Sequence, residues 1–271
     1  MAIHKLLIQV YSDIYIDSWN VLPELPVNAK YLFLAGNICT QTHPLFYKFF
    51  EYCSANWEKV FFTPGNTEFH IKKKHFNLLD FEYKYKLNEK YKNVFYLNDE
   101  CVALNDEIDV YGSILWTHPE FNSTDYAKMR VNDYNCITYY KQGINRVVDW
   151  DITYVKHLST KSYNCIQNHL EKTKKQTIVM THFPPFRTGS SSQNCIQTYA
   201  SNTLNNDSWP DSTIDNCNLI NVSIWISGHT RWSYNIKRLN CTFIGNQIGH
   251  KSELGHTNIK EDGIFELEIT S

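Results

Sequence analysis

The chain has 271 residues and a mass of 31.9 kDa, which is well above the size at which one hydrophobic core struggles to stabilise a fold. Hydrophobic residues make up 42% of the sequence and aromatic residues 15%, which excludes an intrinsically disordered chain. The 26 Lys and Arg residues nearly balance the 28 Asp and Glu residues, and the net charge of −2 excludes a global positive field that would attract nucleic acid or an anionic membrane.

The compartment can be inferred from the N-terminus and the cysteines. The first apolar run, residues 6–10, is too short for the hydrophobic region of a signal peptide, and no stretch approaches the length of a membrane span. The 8 cysteines are scattered, with no C-x-x-C pair and no histidine at zinc-finger spacing. We therefore expect free thiols in a reducing cytoplasm and no structural zinc site.

Short apolar runs rich in β-branched and aromatic residues alternate with longer stretches of helical spacing, and this alternation predicts an α/β domain. No linker or internal repeat divides the chain, so we expect a single domain over residues 1–271. The strands are predicted at 6–11, 31–35, 60–63, 94–97, 108–111, 177–180, 223–227, 242–245 and 264–269. Helices are predicted at 44–53, 69–90 and 152–174. Two segments, 117–150 and 183–221, are left unassigned, and both follow predicted strands.

Polar side chains stand directly after five of these strands, often beside a glycine that allows a sharp turn. Taken alone, a polar residue at a strand end is usually a turn or capping residue. Five in order are hard to explain in that way, because the carboxyl ends of parallel strands meet at one edge of a sheet. The five segments are Asp13-Ile14-Tyr15, Gly36-Asn37, Gly65-Asn66-Thr67-Glu68, His182 and Gly228-His229-Thr230-Arg231.

This series resembles the calcineurin-like metallophosphoesterases, whose motifs in order are D-x-H, G-D, G-N-H-[ED], a strand-end H and G-H-x-H. The resemblance covers essentially the whole chain and implies a four-layer α/β sandwich, in which two mixed β-sheets pack face to face and are flanked by helices. Further stretches look like the bacterial/viral-type branch of the family. These are TPGN at 63–66, GSILWT at 112–117, VNDY at 131–134, THFPP at 181–185 and SGHTRWSYN at 227–235.

The resemblance implies a two-metal centre of which only half is retained. In the family, the second metal is held by the bridging Asp, the Asn of G-N-H and two histidines, and the last three positions are Asn66, His182 and His229 here. The first metal is held by the first Asp, the bridging Asp and two other histidines. Of these only Asp13 remains, while the bridging position is Asn37.

The remaining departures from the pattern each weaken the chemistry. The amide of Asn37 is neutral and offers one good lone-pair oxygen, so it is a poor bridge. Tyr15 stands at one histidine position and can ligate only as a phenolate, which a reference pKa of about 10 makes costly. Arg231 stands at another and cannot ligate at all. Thr67 replaces the histidine that assists protonation of the leaving group and cannot act as a general acid near neutrality.

The sequence therefore predicts a metallophosphoesterase-family protein whose dinuclear centre is degraded and whose phosphoester hydrolysis is impaired or absent. Two alternatives stay open: a non-catalytic scaffold or protein-interaction module on this fold, and a weak hydrolase with a single metal at Asn66, His182 and His229. The cofactor is then one divalent ion (Mn, Fe, Zn or Mg) or, as the lost bridging charge favours, none bound tightly.

The partner expected at this site is a phosphate-containing ligand or another protein, with no nucleic acid and no membrane. Tyr15 and Arg231 are the candidate substrate-binding residues, since a guanidinium has donors suited to phosphate. Because an unpaired buried charge is costly, we also expect Asp13 and Arg231 to form an ion pair across the vacant first site.

Overall fold

The computed structural model describes residues 3–118, 123–192, 209, 212–253 and 257–270. Strands and helices alternate along much of this described chain. The strands are β1 Ile3–Tyr11, β2 Tyr31–Leu34, β3 Lys59–Phe62, β4 Val94–Tyr96, β5 Glu100–Ala103, β6 Ile108–Ser113, β7 Thr138–Lys141, β8 Arg146–Asp149, β9 Gln176–Thr181, β10 Val222–Ser227, β11 Tyr234–Arg238, β12 Cys241–Gly245 and β13 Ile264–Thr270. The helices are α1 Ile16–Trp19, α2 Phe46–Asn56, α3 Phe76–Lys90, α4 Thr124–Arg130, α5 Asp133–Cys136, α6 Ile152–Lys172 and α7 Ser212–Asp215.

Two mixed sheets and a hairpin make up the β structure of the described residues. The first sheet has the order β13-β1-β2-β3-β4, in which only β13 is antiparallel to its neighbour. The second has the order β11-β12-β10-β9-β6-β5, with a parallel centre and antiparallel strands at both edges. Strands β7 and β8 form the separate hairpin. The predicted α/β class with two mixed sheets is confirmed.

The sheets pack face to face, and helices cover their outer faces, which makes four layers. Successive side chains of a strand point to opposite faces. Accordingly Phe33 of β2 packs in the core between the sheets, whereas Leu32 and Leu34 pack under α2 and α3. On the second sheet, Trp225 and Phe243 pack against the C-terminal half of α6. Burial on both faces explains why the central strands are continuous apolar runs.

All nine predicted strands and all three predicted helices are present, with shifted ends. The start of α3 at residue 69 was wrong, because residues 67–69 form a 3-10 turn and the side chain of His75 caps α3 by accepting from the Leu78 N–H. The strands that the sequence missed, β5, β7, β8 and β11, are edge or hairpin strands with partly exposed, mixed side chains.

The two sheets meet at the ends of β1 and β12, and this junction positions the site. The Ser12 N–H donates to the Asn246 carbonyl at 3.0 Å, and the Ile248 N–H donates to the Ser12 carbonyl at 3.0 Å. A parallel bridge between Ser12 and Gln247 results. It brings the loop after β1 in one sheet against the loops after β10 and β12 in the other. None of the described helices is both long enough and apolar enough to cross a bilayer.

Candidate functional site

The five strand-end loops converge at one edge of the sandwich, as the sequence predicts. Asn37 Nδ2 donates to Asp13 Oδ1 at 2.9 Å, and the His229 N–H donates to Asp13 Oδ2 at 2.8 Å. His182 Nε2 lies 3.1 Å from Asn66 Oδ1 and 3.2 Å from His229 Nδ1. The candidate metal residues of both halves therefore form one continuous cluster.

The loops carry unusual backbone strain. Each left-handed residue that is not glycine costs roughly 1–2 kcal/mol, and strain of this kind gathers at functional sites. Backbone hydrogen bonds maintain it: the Asp13 N–H donates to the Gly36 carbonyl at 2.9 Å, and the Tyr15 N–H donates to the Asn37 carbonyl at 3.0 Å. The residues of the site with positive φ that are not glycine are Asp13 (52°), Tyr15 (47°), Asn37 (55°), His229 (71°) and Arg231 (55°).

Gly36 allows the loop that carries Asn37 to pack closely against His182. Its φ is +84°, a conformation that L side chains rarely adopt. A Cβ at this position would lie 2.6 Å from Nδ1 of His182 and 2.5 Å from the amide nitrogen of Gly65. Both contacts are shorter than real Cβ atoms tolerate, so only glycine permits the loop that carries Asn37 to lie against His182.

Asn37 stands at the bridging position, and every donor and acceptor of its side-chain amide forms a hydrogen bond. Its Nδ2 donates to Asp13 Oδ1 and to the Tyr15 hydroxyl, both at 2.9 Å. Its Oδ1 accepts from the Thr67 hydroxyl at 2.8 Å and from the Thr67 N–H at 3.1 Å. A side-chain amide has two donor hydrogens and two acceptor lone pairs. No lone pair of Asn37 is left for a metal ion, and its amide hydrogens are donated to Asp13 and Tyr15, which stand at first-metal positions of the motif series.

The carboxylate of Asp13 is completely buried and is surrounded by neutral donors. Its Oδ1 accepts from Asn37 Nδ2 and, at 3.3 Å, from the Tyr15 hydroxyl, while its Oδ2 accepts from the His229 N–H. The Tyr15 hydroxyl thus accepts from Asn37 Nδ2 and donates to Asp13 Oδ1. Asp13, Tyr15, Asn37 and Thr67 form what we call the polar network, and it does not fit the first metal ion.

The expected ion pair between Asp13 and Arg231 was wrong for the residues that the structure describes. Arg231 is exposed, its backbone is left-handed, and its N–H donates to the side-chain oxygen of Gln247. The physical reason is that neutral hydrogen-bond donors already satisfy Asp13, so its charge does not need a guanidinium. The substrate-binding roles of Tyr15 and Arg231 stay predictions.

The second metal position, with Asn66, His182 and His229, differs from the polar network because two of its acceptor atoms face each other. His182 Nδ1 lies 2.8 Å from the Ala35 carbonyl, which can only accept, so the ring hydrogen is on Nδ1 and the lone pair is on Nε2. Burial lowers the pKa of His182 to about 4, so the ring is neutral at pH 7. Asn66 Nδ2 donates to Asp133 Oδ1 at 2.8 Å, which turns Asn66 Oδ1 toward His182. Two lone pairs therefore face each other across 3.1 Å.

A proton on His229 Nδ1 can be donated to His182 Nε2, and a cation can be shared by both lone pairs. Two imidazole nitrogens and an amide oxygen are ligands that one divalent ion accepts. The set is neutral, and the part of the chain that the structure describes contains no group of three or more His, Cys, Asp and Glu residues that could hold a metal. Asn66, His182 and His229, which we call the half-centre, fit one weakly held ion.

Sequence reasoning assigned no role to Asp133 and His70. Asp133 begins α5, and its Oδ1 accepts from Asn66 Nδ2 and, at 2.7 Å, pairs with His70 Nε2. Burial works to raise the pKa of Asp133, but the hydrogen bonds from His70 and Asn66 and the nearby imidazoles lower it overall. The signal was the VNDY stretch, which lies in a segment whose secondary structure the sequence left open.

Glu68 ties three backbone segments together beneath the site. It is completely buried and accepts from the N–H groups of Asn37 at 2.9 Å, Ile38 at 2.6 Å and Gly65 at 2.6 Å. Burial raises the pKa of Glu68 to about 7, although the three N–H groups favour the ionised form. Glu68 therefore holds the loops of Asn37 and Gly65 in register, a role that its place in the motif had not revealed.

Comparison with known proteins agrees with this geometry. A mimivirus relative, uncharacterised protein L509 of Acanthamoeba polyphaga mimivirus, is 27% identical over 242 residues, which are 86% of this chain and 83% of that protein. Among solved structures, a phosphopantetheinyl hydrolase from Mycobacterium tuberculosis matches with a TM-score of 0.64 and 13% identity over 97% of this chain and 95% of that one. The protein TT1561 of Thermus thermophilus matches with a TM-score of 0.51 and 9% identity over 90% of each chain.

These structures establish the fold and, at such low identity, nothing about the reaction. The family itself is established by sequence, since the calcineurin-like phosphoesterase profile matches residues 3–231. That range contains all five strand-end loops and ends at Arg231, the last position of the motif series. The chain therefore belongs to the calcineurin-like phosphoesterase family.

Proposed function

We propose that this protein has lost the two-metal phosphoester hydrolysis of its family and that its site binds at most one divalent ion, at the half-centre. The observation that carries the proposal is the saturated amide of Asn37. A bridging ligand must offer a lone pair to each of two ions, and here both lone pairs of the amide oxygen accept from Thr67. Two-metal catalysis needs the pair of ions to clamp the attacking and leaving oxygens.

The polar network supports the loss because its members satisfy one another. Tyr15, Asn37 and Thr67 are three of the four departures from the family pattern, and each bonds directly to another of the three or to Asp13. Tyr15 and Asn37 donate hydrogen bonds to the buried Asp13 carboxylate and so stabilise its charge without an ion. A centre that had simply decayed would leave buried polar atoms unpaired at these positions.

The half-centre supports retention of one weak site. When bound there, a divalent ion supplies Lewis-acid polarisation of a phosphoryl oxygen. The chain's own residues hold ligand atoms in place: the Ala35 carbonyl fixes the His182 tautomer, and Asp133 fixes the Asn66 amide. No group at the position of Thr67 can donate a proton to a leaving oxygen near neutral pH. A phosphate-bearing ligand is thus expected to bind more readily than to react.

The direct test is an activity assay on the full chain. We expect purified protein supplied with Mn²⁺ to hydrolyse bis(p-nitrophenyl) phosphate no faster than its His229→Ala variant, which removes a half-centre ligand. The variant is the control for contaminating phosphatase, because it goes through the same preparation. Turnover well above that control, together with two Mn²⁺ per chain, would overturn the proposal.

A further inference from the structure

We infer that Asp133 is a positioning residue of a one-ion site at Asn66, His182 and His229, and that His70 holds Asp133 in place. The inference rests on the proposed half-centre and deepens it. Asp133 is not itself one of the three proposed ligands. It acts through the amide of Asn66, to which its Oδ1 is bonded at 2.8 Å.

Asp133 determines the orientation of the Asn66 amide. The two ends of an asparagine side chain have nearly the same shape, so steric contact alone does not decide whether oxygen or nitrogen faces His182. A carboxylate accepts and does not donate, so Asp133 requires the nitrogen end of Asn66. The oxygen end is thereby committed to His182 Nε2 and to an ion that lies between them.

Asp133 also places a buried carboxylate next to the half-centre. The bridging position, Asn37, no longer supplies a carboxylate, and the carboxylate of Asp13 accepts its hydrogen bonds from Asn37, Tyr15 and the His229 N–H. Asp133 is a carboxylate that bonds directly to a side chain of the half-centre, and its own side chain is only 9% exposed. A buried negative charge just behind a neutral ligand raises the affinity of that ligand for a cation.

His70 holds the Asp133 carboxylate in place. His70 Nε2 lies 2.7 Å from the same Oδ1 that accepts from Asn66. His70 follows the 3-10 turn Thr67–Phe69, so it belongs to the same loop as Asn66, while Asp133 begins α5. Two donors from one loop thus converge on one oxygen from another element. A carboxylate that is bonded to a metal ligand from behind orients that ligand, and its loss typically weakens metal affinity about 10- to 100-fold.

The test is calorimetric titration of the full chain with Co²⁺ alone, followed in parallel by the visible absorption of the bound ion. Asp133→Asn keeps an acceptor oxygen and removes the charge, whereas Asp133→Ala removes both. We expect one ion per wild-type chain, an affinity about 10-fold weaker in Asp133→Asn, and one weaker by up to about 100-fold in Asp133→Ala. The absorption band should shift in Asp133→Ala, because the amide oxygen is no longer directed at the ion.

The matched control is Asp80→Asn. Asp80 Oδ1 also accepts from two side chains, the Tyr96 hydroxyl at 2.6 Å and Asn98 Nδ2 at 2.8 Å, but none of these residues belongs to the half-centre. Its Co²⁺ affinity should match the wild type even if the variant is less stable. A merely structural role for Asp133 would give both Asp→Asn variants the same affinity.

The outcomes separate this inference from the proposed function. One ion in the wild type with unchanged affinity in both Asp133 variants would overturn the inference and leave the proposed function intact. No ion in the wild type would overturn the inference while the loss of hydrolysis stands. Two ions with robust turnover would remove the proposed function and this inference together. If Asp133→Ala fails to fold, Asp133→Asn decides, because it preserves volume and an acceptor.

Discussion

The two halves of the site are built on the same loops but satisfy their polar atoms in opposite ways. In the polar network, every donor and acceptor of the Asn37 amide has a protein partner. In the half-centre, the lone pairs of His182 Nε2 and Asn66 Oδ1 face each other at 3.1 Å. The polar atoms of the first half are satisfied without an ion, whereas two acceptor lone pairs of the second half are placed so that they can share a cation.

The difference shows how a metal site can be replaced without collapse of its scaffold. Replacing the bridging carboxylate alone would leave the buried Asp13 with fewer hydrogen-bond donors than it has here, and a poorly satisfied buried charge is costly. Here the Tyr15 hydroxyl and the Asn37 amide supply donors to Asp13, and Thr67 supplies donors to Asn37. The replacements are therefore mutually dependent, and single reversions are not expected to restore the centre.

The largest expected effect comes from reverting the replaced positions together. Tyr15→His, Asn37→Asp, Thr67→His and Arg231→His in one chain restore the ligands, the bridging charge and a general acid. We expect two ions per chain and phosphodiester hydrolysis at least about 10²-fold above the wild type, since general acid help alone contributes about 10²- to 10⁴-fold. Adding His182→Ala to the four reversions is the control and should abolish the gain. A reverted chain that still holds one ion would mean that the polar network is not what replaced the first site.

A second large effect, on stability, is expected from substitution of Gly36, which packs against His182. Gly36→Ala should lower the free energy of unfolding by at least about 1–3 kcal/mol from backbone strain, with the contact against His182 Nδ1 adding to this. Urea denaturation measures the loss. Gly143→Ala is the matched control, because a Cβ there meets nothing within 4 Å, and its effect should stay within about 0.5 kcal/mol. Equal effects of the two substitutions would contradict the close packing of the halves.

The half-centre also predicts a pH dependence of stability. The pKa of His182 is about 4 in the folded protein and 6.5 ordinarily, so between these values the unfolded chain binds a proton that the folded chain does not. Stability therefore falls as the pH falls through this window, by an amount on the order of 3 kcal/mol. The difference in unfolding free energy between the wild type and His182→Gln should shrink from pH 7 to pH 4. A difference that is constant with pH would show that His182 is not held neutral.

The smallest effect tests one bond of the polar network. Thr67→Val removes the hydroxyl that donates to Asn37 Oδ1 and keeps the backbone N–H that donates to the same atom. We expect a loss of about 0.5–1.5 kcal/mol in the free energy of unfolding and no change in the number of ions bound. Thr67→Ser keeps the hydroxyl and should resemble the wild type. A gain of a second ion in Thr67→Val would show that this bond keeps the bridging position closed.

The convergence of the strand-end loops could be predicted from the sequence, whereas the bonding between them could not. Asp13, Asn37 and His182 follow buried apolar runs, and the geometry of parallel sheets brings such positions to one edge. The ion pair expected between Asp13 and Arg231 was wrong. The sequence shows the charges of the two residues, but it does not show which neutral groups donate hydrogen bonds to Asp13. The role of Asp133 depends on a contact between residues 67 apart in the chain, which local patterns do not encode.

We propose that the polar network excludes a metal ion and that the half-centre can bind one. Equilibrium dialysis of the full-length wild type against Mn²⁺, with the bound ion counted by mass spectrometry, tests it most directly. We expect saturation at one ion per chain and loss of that ion in His229→Ala, with no loss in Tyr15→Phe. Saturation at two ions per chain, or a single ion that survives His229→Ala and is lost in Tyr15→Phe, would contradict it.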